Sequence, residues 1–137
     1  MAATYSSFMT TRYYSPIFNT ALFDGPLRFY FSQSYESSAL KLYHLLQAQH
    51  EDLWSQLKKH TQANKEHVFV MIYPEAKDLK MVFENVQSLT ASQTWDEGLA
   101  LGMYQPTDDE QVAIQLQEVV QSIKNWMQLD STNEITL

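Results

Sequence analysis

"RFYFSQSYESSALKLYHLLQ", residues 28–47, decides the fold. At its start the side chains alternate. Leu27, Phe29 and Phe31 point one way and Arg28, Tyr30 and Ser32 the other, the pattern of a strand with one apolar and one mixed face. Beyond the serine-rich bend the period changes. Tyr35, Ala39, Leu42, Leu46, Leu53 and Leu57 recur at helical spacing, and Tyr43 and Trp54 widen the same stripe. The spacing predicts one helix from about Tyr35 to His60, ~39 Å long at 1.5 Å per residue. That is long for a small domain, so its far end is expected to project or to pack on a second subunit.

Downstream, "HVFVMIY" (67–73) is a nearly continuous apolar run, which suits a strand buried on both faces in a parallel sheet. The segment "PEAKDLKMVFENVQSL" (74–89) reads in two ways. Leu79, Val82, Phe83, Val86 and Leu89 fit a helical face, whereas "LKMVFENV" also alternates like the second arm of a hairpin. The helix is favoured because it accommodates all five apolar positions. A polar loop then leads to "LALGMY" (99–104), a third strand weakened by Gly102. Thr107 to Glu110 form a capping box before a final helix whose buried stripe is Val112, Leu116, Val119, Val120, Ile123 and Met127.

Upstream, "FDGPL" (23–27) marks a turn, since Gly tolerates positive φ and Pro fixes its own. Residues 1–23 are an aromatic lead-in with no acid, read as an edge strand in preference to a transit peptide. The order strand–helix–strand–helix–strand–helix predicts an α/β or α+β fold. One domain over residues 1–137 is expected, with a small, partly parallel sheet, two or three helices, and a polar tail at 130–137.

Composition narrows the function classes. The chain has 137 residues, is 45% hydrophobic and carries a net charge of −7. Residues 1–60 sum to +1 and residues 61–137 to −8. An acidic second half repels phosphate backbones, so no nucleic acid is expected. The absence of Cys excludes disulfides and thiolate metal sites and fits a cytoplasmic setting. No apolar run approaches the ~20 residues that span a bilayer, so no membrane is expected. Acids and histidines do not repeat on one helical face, and neither a metal nor a cofactor is expected.

Catalytic motifs are absent as well: there is no G-x-S-x-G elbow and no glycine-rich phosphate cradle. Ser32, Ser34, Ser37 and Ser38 surround a helix start, which attracts anions, but Ser34 as N-cap accounts for the pattern. His50 falls in the apolar stripe, where a pocket would make it pH-sensitive; a hydrogen-bonded core or interface histidine is the preferred reading.

Two function classes follow. The first is a non-catalytic protein–protein interaction or adaptor module, self-associating as a homodimer, with Tyr13, Tyr14, Phe18, Trp54, Trp95, Met103 and Tyr104 as contact candidates. The second is a small-molecule or anion-binding domain, enzymes included, with its site at the strand carboxyl ends. Ser32, Ser34, Tyr35, Tyr73 and Glu75 would gather there.

Overall fold

A computed structural model describes residue 13 and residues 15–128. Tyr14 and the tail at 130–137 lie outside the described residues. The chain opens with a hairpin of β1 (Thr20–Asp24) and β2 (Leu27–Phe31). Asp24 pairs with Leu27, so Gly25 and Pro26 alone make the turn, and Gly25 supplies the positive φ of 55° that it needs. Ser32 caps a 3-10 turn at Gln33–Tyr35, which runs into the first helix.

The long helix expected over residues 35–60 is two helices: α1 (Glu36–Gln49) and α2 (Glu51–Asn64). His50, with φ −133° and ψ 53°, closes one and opens the other. Two length estimates explain the break. Each 14-residue helix spans ~21 Å, which matches the ~23 Å of the seven-residue central strand that follows. A continuous helix would overshoot the sheet. Glu51 and Asp52 favour a fresh start by lying at the positive end of the second dipole. With the break, Leu42, Leu46, Leu53 and Leu57 all enter one core.

Lys65 ends α2 in the left-handed conformation, its N–H bonded to the Thr61 carbonyl. Then come β3 (His67–Tyr73), α3 (Ala76–Val82) and β4 (Asn85–Val86), so the helix reading of this segment holds over its first part. The expected polar loop before the third strand is instead β5 (Thr90–Trp95), joined through Asp96 and Glu97 to β6 (Gly98–Tyr104). The last helix, α4, spans Asp109–Met127. Its cap lies one residue later than the sequence pattern suggested. The Asp108 carboxylate accepts from the Gln111 N–H, while the Gln111 side chain accepts from the Thr107 N–H.

The class is α+β, with one mixed six-stranded sheet in the order β1-β2-β3-β6-β5-β4. Four helices accompany it, where two or three were expected; the split at His50 accounts for the difference. The inner strands β2, β3 and β6 are mutually parallel, and β1 and β5 run antiparallel to their inner neighbours.

Alternation divides the core in two. Leu27, Phe29, Phe31, Val68, Val70, Ile72, Leu99, Leu101 and Met103 meet the apolar stripes of α1, α2 and α4. On the other face Tyr30, Phe69, Met71, Tyr73 and Ala100 meet Leu79, Phe83 and the lead-in residue Tyr13. The second layer sits very close at Gly102, where a Cβ would come within 2.5 Å of the Phe83 ring.

Candidate functional site

The parallel strands place Ser32, Tyr73 and Tyr104 at their carboxyl ends. Each of the proposed ligand groups there has an internal partner or a packing role. Ser32 Oγ lies 2.8 Å from Ser34 Oγ and accepts from the Ser34 N–H. The adjacent Gln33 N–H donates to Asn19 Oδ1 at 2.9 Å, which ties the lead-in to the bend. The Tyr73 hydroxyl donates to the Tyr13 carbonyl at 2.6 Å, and burial raises its pKa well above the ordinary phenol value. The Glu75 N–H donates to the Asp78 carboxylate, an N-terminal tie of α3. Nor do these residues converge: Tyr35 packs on the helix-side core, whereas Tyr73 belongs to the opposite one.

The contact candidates are mostly spent on the fold. Tyr13 is 3% exposed and Met103 1%. Trp54 is half-buried with its ring edge-on to Tyr43, and Phe18 is tilted against Tyr73. Trp95 stands edge-on to Phe69 at 5.0 Å and to Tyr13 at 5.4 Å. Tyr104 is half-buried against the second face. His50 is half-buried at the junction of α1 and α2. Among the described residues, no three His, Asp or Glu side chains are grouped to hold a metal, and no helix is long and apolar enough to cross a membrane.

Two places stand out once these are set aside. One is β1, a terminal strand of the sheet with a neighbour on one side among the described residues. Its backbone orientation follows from one bond. The Val68 N–H donates to the Pro26 carbonyl, so residues 26, 28 and 30 address β3 while residues 27, 29 and 31 address β1. Through the hairpin register, Thr20, Leu22 and Asp24 face β2, and Ala21 and Phe23 turn their backbone groups outward. Both side chains are exposed, Phe23 by 40%.

The other place is the amino end of β2 and β3 on the face away from α1, α2 and α4. Here Arg28 Nη2 lies 3.1 Å from His67 Nε2, and the guanidinium sits 4.6 Å above the Phe23 ring. Burial, then the Arg28 charge, lowers the His67 pKa below the usual histidine value, so the ring is neutral near pH 7. Alternation along "LRFYFS" already assigns Arg28 to the mixed face. That His67 would meet it depends on the parallel register, in which Arg28 lies opposite Phe69, and no local spacing carries that information.

Set against known proteins, the sequence matches no family model, no curated protein matches it, and no solved structure matches it.

Proposed function

We propose that this protein is a non-catalytic interaction module that associates with a second copy of itself through β1. The observation that carries the reading is the outward-facing backbone of Ala21 and Phe23 on an edge strand that, among the described residues, is paired on one side only and contains no lysine or proline. An exposed edge of this kind is a template for strand addition.

A two-fold axis at Leu22 suits an antiparallel pair. Ala21 then faces Phe23 of the second copy, so a small side chain meets a large one, and Thr20 faces Asp24 without opposing like charges. A five-residue strand buries much less than the ~800 Å² per partner of a standard interface, so the association is weak, with a Kd of roughly 10 µM.

Sedimentation velocity across that concentration range tests the reading. Dimer should accumulate for the natural chain and be lost in Ala21→Pro, which removes an outward N–H and spares the bonds to β2. Far-ultraviolet circular dichroism should be the same for both. A chain that stays monomeric throughout, or a proline variant that dimerises equally well, would refute it.

A further inference from the structure

We infer that Arg28, His67 and Trp95 form a binding site for a carboxylate carried on a small apolar body. The reasoning starts from an imbalance of donors. Arg28 is half-buried, yet among the described residues no carboxylate lies within ion-pair reach of it; the lysine bridges run from Lys41 to Asp109 and from Lys77 to Glu75. Its Nε is buried and has no hydrogen-bond partner, and the same is true of Trp95 Nε1. A donor withdrawn from water and left unpaired is costly, and such groups ordinarily find an acceptor.

His67 adds a donor and no acceptor. Its Nε2 faces the Arg28 guanidinium, which can only donate, so Nε2 is the accepting nitrogen. In the neutral ring the proton is then on Nδ1, which donates. Every polar group of the cluster therefore presents N–H, and the complement of such a set is an anion.

Strand alternation and register bring these groups onto one face of the sheet. His67 lies opposite Gly98, and Gly98 lies opposite Trp95. Two strand spacings of ~4.8 Å separate the flanking residues, and between them the buried Gly98 packs its backbone directly on that of His67, where a Cβ would come within 2.0 Å. Phe69, one pair further along, touches both sides: its ring is 6.3 Å from His67 and 5.0 Å from Trp95. Phe23 underlies the guanidinium. Arg28, His67 and Trp95 are each only partly buried, so the cluster borders solvent.

The surroundings select the class of anion. One guanidinium beside a neutral imidazole matches one negative charge, and a planar guanidinium suits a planar carboxylate. The rings of Phe23, Phe69 and Trp95 favour an apolar body, and the protein's net charge of −7 disfavours a multiply charged phosphate. This inference does not depend on self-association, because the backbone that β1 offers points out of the sheet edge while the cluster lies on the sheet face.

Phenylacetate is the probe, with phenylacetamide as its uncharged isostere. Titration calorimetry on the full chain should show phenylacetate binding and no binding of phenylacetamide. Arg28→Gln should weaken it at least about tenfold. Because that variant loses a buried stem, a second reading uses the natural chain. In ¹⁵N spectra, the Trp95 indole N–H, assigned with Trp95→Phe, should shift with phenylacetate while those of Trp54 and Trp126 stay in place.

Acetyl-phenylalanine separates the two sources of such a carboxylate. Binding tighter than phenylacetate identifies a peptide C-terminus, and weaker binding identifies a free small acid. The inference falls if the Trp95 signal is unmoved at millimolar phenylacetate, if phenylacetamide binds equally well, or if inorganic phosphate binds more tightly than either acid.

Discussion

His67 shows how one side chain couples the fold to pH. Its pKa is lower in the folded chain than the ~6.5 of an unperturbed histidine, so the unfolded chain binds more protons at pH values near and below that figure. Stability from this source is therefore complete above pH ~6.5 and is lost as pH falls through the folded-state value. The charges facing the ring are few. Arg28 comes from β2, the turn before β6 offers the Glu97 carbonyl to the His67 N–H, and the neighbouring Glu66 is engaged by His60. His67→Gln keeps an acceptor for Arg28 and does not titrate. The fall in Tm between pH 7.5 and pH 5.5 should then be smaller in His67→Gln than in the natural chain. An identical fall in the two proteins would show that His67 titrates as it does in water.

At the scale of elements, α3 is held by what β6 lacks. A Cβ at Gly102 would approach the Phe83 ring to 2.5 Å and Leu79 to 2.9 Å, so the helix and the residue after it rest on bare backbone. Gly102→Val should push this layer off the sheet and cost about 1–3 kcal/mol, the usual range for overpacking. A urea midpoint unchanged from the natural chain would mean that the layer yields freely.

The same region shows what a sequence exposes and what it conceals. β3 was legible because seven successive residues are apolar or aromatic enough to be buried on both faces, and α4 because its apolar positions keep one period for five turns. β5, "TASQTW", was not legible. Thr90 and Ala91 are fully buried, but one is small and the other is satisfied by the Glu118 carboxylate on α4, so neither raises local hydrophobicity. The break at His50 has no Gly or Pro to announce it; the limit set by sheet length is a property of the assembled domain. At the candidate carboxylate site, the facing of Arg28 was readable from alternation. Its meeting with His67 and the alignment of His67 with Gly98 were not, because both come from pairing between strands far apart in sequence.

For the whole molecule, the question is how two copies carrying −7 each could meet at all. The uneven distribution supplies an answer. The hairpin of β1 and β2 belongs to the first 60 residues, which sum to +1, whereas the second half carries −8. In the sheet order, β1 lies at one end, and β5 and β4, from the acidic half, at the other. Pairing through β1 would therefore join the ends built from the first half of the chain and keep β5 and β4 of the two copies apart. What remains between the copies is long-range repulsion, which salt screens; the Debye length shortens from ~30 Å at 0.01 M to ~10 Å at 0.1 M. The backbone hydrogen bonds and the Phe23–Ala21 contact of the proposed pairing would be largely insensitive to that change. Raising sodium chloride from 0.01 M to 0.1 M should accordingly strengthen self-association, by a few-fold in Kd, as read by sedimentation equilibrium. If added salt instead dissociates the dimer, the copies are held by opposite charges, and the contact lies on a surface other than β1.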